Sequence, residues 1–257
     1  MKLKLQGKCV VITGAASGIG RELLIQISKH ACRIVAADID EALLTTLLSQ
    51  LQSSKSEIHS FVGDLSLQKN VDALFAAALS RFGGVDVFIA NAGIPYFERI
   101  GKPDWEHISK IFHLNVFSTM YSFQKLKSIN QDKPYKFVIV SSAMAYMAMP
   151  GYALYSATKA ALLRFVEAVR LELDDARKLM IVFPIATQTR FFQAASDSTP
   201  IPWPVQSPEV VARKIVAGIL KDRKNIFPSR LFQSILFLDR FQPLIRFLYQ
   251  AYYKKGL

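Results

Sequence analysis

The 257-residue chain is of a size that one α/β domain with a full sheet can occupy, and its 51% hydrophobic and 20% charged residues exclude a disordered polymer. Its formal net charge of +12 admits nucleic acid, an anionic membrane surface or an acidic substrate as partner. Half of that excess falls within residues 221–257 without a nucleic-acid-reading motif, so no nucleic-acid partner is expected.

From the start of the chain, Met1–Gln6 is basic, but the apolar stretch after it runs quickly into a glycine turn. This is not the pattern of a signal peptide, and the expected location is cytoplasmic. Short β-rich apolar runs then alternate with longer helical periodicities. Strands are expected at Cys9–Thr13, Arg33–Ala37, Glu57–Val62, Val85–Ala90, Lys136–Ser141, Leu179–Phe183 and, more weakly, Asn225–Phe227. Helices are expected at Gly18–Lys29, Glu41–Gln52, Ser66–Phe82, Asp104–Leu126, Tyr152–Asp175 and Pro208–Leu220. Such alternation predicts a doubly wound parallel sheet of the Rossmann type, an α/β single domain with a helical C-terminal extension. The boundaries read as 1–229 for the catalytic domain and 230–257 for the extension.

Cys9 and Cys32 fall in or beside the first two strands without metal-like spacing and read as buried thiols of a reducing compartment. His30, His59, His107 and His113 are scattered, again without ligand spacing, so no metal is expected. Two stretches break the rhythm. Residues 187–206 carry Pro200, Pro202 and Pro204 and end in Ser207-Pro208-Glu209, an N-cap with a first-turn proline and acid. A loop of this length inside a compact domain is usually functional. The second is the aromatic, basic tail from Arg230 onward.

Directly after the first expected strand stands Thr13-Gly14-Ala15-Ala16-Ser17-Gly18-Ile19-Gly20, followed by a helix. Glycines there permit a tight turn and let backbone N–H groups at the helix start approach a pyrophosphate. Asp38 ends the second strand, eighteen residues after Gly20. A carboxylate at that point can accept from both hydroxyls of an adenosine ribose and repels a 2′-phosphate, whereas its plain structural use is to cap the next helix. With Ser17 where a basic residue could pair with such a phosphate, the pattern favours NAD over NADP. Further on, Tyr155 and Lys159 stand at i and i+4 on one helix face. A phenol with an ordinary pKa near ~10 needs a neighbouring positive charge to work as an acid/base at neutral pH, and Lys159 can supply it.

The sequence TGAASGIG, Asp64, Asn91-Ala92-Gly93, Asn115, Ser141-Ser142, YSATK and a proline after the sixth strand resembles the short-chain dehydrogenase/reductase family across about residues 5–221. The resemblance implies that Ser142, thirteen residues before Tyr155, polarises the substrate oxygen. It implies that Tyr155 gives or takes the proton, that Lys159 lowers its pKa and holds the nicotinamide ribose, and that Asn115 holds a water linking Lys159 to solvent. Cofactor contacts implied in the same way are Gly14, Ser17, Gly18, Ile19, Gly20, Asp38, Asp64, Leu65, Asn91, Ala92, Gly93, Tyr155, Lys159, Pro184, Thr187 and Thr189. The chain departs from the family at Ile185, usually glycine, and at Thr187, often Val or Ile. Those changes bear on the substrate loop more than on the cofactor class.

The expected activity is therefore NAD-dependent interconversion of an alcohol and a ketone. The substrate is expected to be lipophilic, since Met144, Met147 and Met149 lie between Ser142 and Tyr155, where they serve either core packing or a plastic pocket. A 3-oxoacyl thioester reductase is the enzymatic alternative, against which Asp38 counts. A nucleotide-binding redox sensor without turnover is the other, and it would predict loss of one of the four catalytic residues. A homo-oligomer, dimer or tetramer, is expected. The tail is too interrupted by Asp239, Arg240 and Arg246 to span a bilayer. Divided by Pro243 into two short helices, it suits a peripheral anchor on an anionic membrane, a cover for the substrate pocket or a dimer interface.

Overall fold

The computed structural model describes residues 4–101, 104–131, 133–189 and 203–239. Its sheet contains β1 (Cys9–Thr13), β2 (Arg33–Asp38), β3 (Glu57–Val62), β4 (Val87–Ala90), β5 (Lys136–Val140), β6 (Leu179–Val182) and β7 (Asn225–Ile226). All seven are parallel, in the order β3-β2-β1-β4-β5-β6-β7. Parallel neighbours need long crossovers, and the chain supplies helices for them. These are α1 (Gly18–Ile27), α2 (Glu41–Gln50), α3 (Gln68–Phe82), α4 (Trp105–Phe112), α5 (Ser118–Asn130), α6 (Ala153–Glu172) and α7 (Pro208–Leu220), with α8 (Arg230–Asp239) after the last strand.

Both faces of the sheet are covered, which is why its central strands read as continuous apolar runs. In β1, Val10 and Ile12 turn to the layer of α1, α2 and α7, while Cys9 and Val11 turn to the layer of α3, α5 and α6. Phe75, Phe88 and Phe137 form a stacked row beneath the second layer, with centroid separations of 5.2 Å. One sheet between two helical layers makes a single Rossmann-like domain. The strand order reverses between β1 and β4, and this opens a crevice at the carboxyl ends of the strands.

Three sequence expectations shift in detail. The helix expected over 104–126 is two helices joined by a π-helical turn, His113–Phe117. That widened turn carries Asn115, whose side chain bonds to the backbone of Ile94. The helix expected from Ser66 begins at Gln68, because Asp64 holds the preceding turn through Ser66 N (2.9 Å). At the end of α1 the chain tightens into a 3₁₀ turn, Ser28–His30, and leaves through Ala31 in the left-handed region.

The ends of the 187–206 segment are pinned together: Gln188 N donates to Gln206 O (2.9 Å) and Gln206 N to Ala186 O (2.8 Å). Pro200 and Pro202 lie outside the described residues, as do residues 240–257 with Pro243. No helix among the described residues is long and apolar enough to cross a membrane.

Candidate active site

The turn after β1 is built around backbone conformations that glycine favours, Gly14 at φ +65° and Gly18 at φ +52°. Thr13 and Asn91 brace it from below. Thr13 Oγ1 accepts from the N–H groups of Asn91 and Ala92, both at 3.0 Å, and Asn91 Nδ2 donates to the carbonyls of Thr13 and Gly14. Ser17 stands at the N-cap of α1 without a side-chain cap bond. Uncapped backbone donors at that helix end therefore face the crevice.

Asp38 is tied into the same turn. Its Oδ2 accepts from Ala16 N (2.8 Å) and its Oδ1 from Asp40 N (3.0 Å). Asp40, not Asp38, caps α2, through Leu43 N. The capping use open to Asp38 in the sequence thus falls to its neighbour. Asp64 and buried Leu65 lie beside it on the crevice wall.

At the other end, Ser142, Tyr155 and Lys159 meet beneath the carboxyl end of β5, all buried. Ser142 starts a 3₁₀ turn with its Oγ accepting from Met144 N (3.1 Å), and its side chain is hydrogen-bonded to Tyr155. Lys159 Nζ donates to Val140 O (3.1 Å) and sits 5.3 Å from the centroid of the Tyr155 ring. Burial pushes the Tyr155 phenol well above its ordinary pKa, with the bond to Ser142 pulling the other way. Burial also pushes the Lys159 ammonium down, to about 8. Desolvation thus outweighs the mutual help expected from the i, i+4 pair. Asn115 stands behind this group: its Oδ1 accepts from Ile94 N (2.9 Å), and its Nδ2 donates to Ile94 O (3.0 Å) and Thr158 Oγ1 (3.2 Å).

One cavity of about 750 Å³ joins the two ends. Gly14, Ser17, Gly18, Ile19, Asp38, Asp64, Leu65, Asn91, Ala92, Gly93, Ser142, Tyr155, Lys159, Pro184, Thr187 and Thr189 all line it. Gly20 and Asn115 do not, and lie behind the wall. The half beyond Tyr155 is apolar. Met144, Met147 and Met149 line it, and Met144 and Met149 are also packed with Tyr152 and Tyr155.

A dinucleotide fits the other half. Its floor is a glycine cradle that side chains would fill: a Cβ on Gly14 would lie 3.0 Å from Asn91 and Ala92, and one on Gly18 3.0 Å from Thr189. The start of α1, with its free backbone donors, and the Asp38 carboxylate both line this half, groups of the kind that could hold phosphates and a ribose.

Residues 8–199 match the family described as short chain dehydrogenase. The chain belongs to that family. This short-chain dehydrogenase is an oxidoreductase acting on CH–OH groups, and its fold binds NAD(P). It is 28% identical over 245 residues to epidermal retinol dehydrogenase 2 of Homo sapiens, covering 93% of this chain and 79% of that one. It is also 28% identical over 242 residues to 17-beta-hydroxysteroid dehydrogenase 13 of Rattus norvegicus, covering 92% and 80%. The fold is similar to that of a Burkholderia phymatum short-chain dehydrogenase/reductase in complex with NAD, with a TM-score of 0.82 at 21% identity over 95% of this chain and 96% of that one.

Sequence reasoning passed over several residues of this dehydrogenase's site. Thr13 is the hub of the glycine turn, and a threonine ending an apolar strand carries no separate signal. At the departure from the family pattern, Thr187 Oγ1 donates to Ile185 O (2.9 Å), so its hydroxyl is engaged within the loop. Leu231, Phe232 and Ile235 of α8 also line the cavity. The amphipathic pattern of the tail leaves a pocket cover as one of three readings, without saying which of its residues reach the cavity.

Proposed function

We propose that this dehydrogenase is NAD(H)-dependent and interconverts a lipophilic alcohol and its ketone. The observation that carries this reading is the meeting of Ser142, Tyr155 and Lys159 where the glycine-lined half of the cavity joins its apolar half. Nicotinamide, when bound, supplies or accepts the hydride. The chain's own groups handle the proton and the oxygen. Tyr155, held protonated by burial, donates its proton to the oxygen of a ketone as charge develops there, and Ser142 donates a second hydrogen bond to that oxygen. Lys159, as an ammonium beside the ring, stabilises the phenolate left behind. Asn115 positions this group through Ile94 and Thr158, and the water relay beside it belongs to the proposal.

The preference for NAD(H) is supported by Asp38, which lines the cavity with no basic residue at Ser17. A 2′-phosphate there would meet a carboxylate. The lipophilic substrate is supported by the methionine-lined half and by relatives whose names specify a retinol and a hydroxysteroid. Peripheral contact with an anionic membrane is supported by α8, where Phe237 and Leu238 are 67% and 52% exposed, and by Trp203 beside the cavity-lining Pro204. A homodimer or homotetramer completes the reading.

The test is steady-state absorbance of NADH with panels of alcohols and ketones, run with both cofactors. Turnover of apolar secondary alcohols with NAD is expected. A folded protein that turns over no member of either panel with either cofactor would overturn the assignment.

A further inference from the structure

Helix α8 lies beyond the 8–199 segment matched to the family, yet it is capped at its own start and fastened to the domain at two points. Ser229 caps it, with Oγ accepting from Phe232 N (3.1 Å) and the carbonyl from Gln233 N (3.1 Å). Lys214 Nζ of α7 holds the preceding Pro228 carbonyl at 2.5 Å. A run of rings ties it to the sheet: Tyr146 packs on fully buried Phe183 at 4.9 Å, Phe183 stacks on Phe227 at 5.0 Å, and Phe227 meets Phe232 at 6.4 Å. These packed rings hold the first turn of α8 against the sheet.

Leu231, Phe232 and Ile235, at i, i+1 and i+4, turn one helix face to the cavity that Met144 and Met147 also line. Phe232 belongs to the ring anchor. Ile235 is half-buried and lines the cavity outside that anchor.

We propose that α8 sets the chain length of the substrate, with Ile235 as the specificity-determining residue against which the far end of an apolar chain lies. The inference rests on the alcohol–ketone reading above. It goes further by assigning the limit on size to a helix outside the family segment and to one side chain on it.

The experiment measures kcat/KM with NAD along the series from 2-butanol to 2-dodecanol for the parent, Ile235→Trp, Ile235→Ala and Leu238→Ala. In the parent, kcat/KM should rise about fourfold per methylene until the chain reaches α8. Ile235→Trp should end that rise several carbons earlier and lower the longest substrates at least tenfold, leaving 2-butanol within about threefold. Ile235→Ala should extend the rise, and it carries the test if the tryptophan variant does not fold. Leu238→Ala, at an exposed position one turn beyond the cavity lining, should leave the profile unchanged. A second readout needs no turnover: 2-dodecanone should raise the thermal midpoint of the parent and fail to raise that of Ile235→Trp. Turnover in the parent with a chain-length profile that neither Ile235 variant moves would overturn the inference and leave the oxidoreductase reading standing. Absence of both turnover and any thermal shift in the parent would overturn the two together.

Discussion

Gly20 packs directly against the carbonyl of Gly14: a Cβ at position 20 would lie 1.8 Å from that oxygen and 2.6 Å from Asn91 Nδ2. Both neighbours are fixed, one as backbone and the other by its bonds to Thr13 and Gly14. Gly20 therefore lets α1 approach the turn closely, and under the proposed function this aims the helix N-terminus at the cofactor without Gly20 itself lining the cavity. Gly20→Ala is expected to destabilise the protein by about 1–3 kcal/mol, as overpacking does, and to weaken NADH binding at least tenfold. Thermal melts and a fluorescence titration with NADH check both. Unchanged NADH affinity in a folded variant would separate Gly20 from the cofactor site.

Tyr155→Phe keeps the buried ring and removes only the hydroxyl that meets Ser142. Turnover should fall by about 10² to 10⁴, the usual loss when a positioned acid/base is removed, while NADH affinity stays within a few-fold. More than about a hundredth of the parental rate would remove Tyr155 from the proton transfer.

The pKa shifts set a pH profile with a definite sign. Tyr155, raised by burial, stays protonated through the neutral range, so the proton needed for ketone reduction is present. Lys159, lowered to about 8, loses its charge as the pH rises through that value. Reductive kcat/KM should therefore be level on the acid side and fall above pH about 8, while alcohol oxidation, which needs the phenolate, should rise with pH. A reductive profile flat up to pH ~10 would contradict this role for Lys159. For folding, the unfolded chain holds more protons than the native state between the two Lys159 pKa values. This group therefore makes the protein more stable as pH rises from about 8 toward the unfolded value.

What could be read from the chain beforehand follows from which interactions are local. The β1 turn and α1 were legible because glycine spacing, strand and helix lie within one short stretch, and Ser207-Pro208 marked the start of α7 for the same reason. The break at His113–Phe117 was not, since helical periodicity runs unbroken through it and the cause is a bond from Asn115 to Ile94, twenty-one residues away in sequence. Asp38 is singled out in the sequence by its distance after Gly20, but its two backbone bonds are not, because Ala16 donates through a group every residue has. The apolar face of α8 was visible as a face. That Leu231, Phe232 and Ile235 line the same cavity as Met147 depends on where β7 delivers the chain.

Asp38 accepts from Ala16 and Asp40 while lining the cavity, so the proposed ribose contact would share a carboxylate with the turn. Asp38→Ala should lower kcat/KM for NAD by about 10- to 100-fold, the equivalent of one or two charge-assisted hydrogen bonds. The loss for NADP should be smaller, so the preference narrows. Ratios of kcat/KM for the two cofactors in parent and variant provide the measurement. A parent enzyme that favours NADPH would reverse the reading of this strand end.

Membrane contact is the remaining element of the proposed function, and α8 allows it to be tested without disturbing the site. Phe232 and Ile235 line the cavity, whereas Phe237 and Leu238 are exposed and do not, so Phe237→Asp with Leu238→Asp leaves the cavity lining unchanged. The flanking Lys221, Arg223, Lys224 and Arg230 are cations of the kind that draw a segment to anionic lipid, each contributing about 1 kcal/mol near such a surface. Parent protein should co-sediment with phosphatidylserine-containing vesicles at low salt, less so at high salt, and weakly with neutral ones. The double variant should lose at least tenfold in vesicle binding while keeping its rate on a short, water-soluble alcohol, because its catalytic groups are untouched. Equal sedimentation of parent and variant would move any contact away from α8. No binding by well-folded parent under any of these conditions would leave α8 as a wall of the substrate cavity alone.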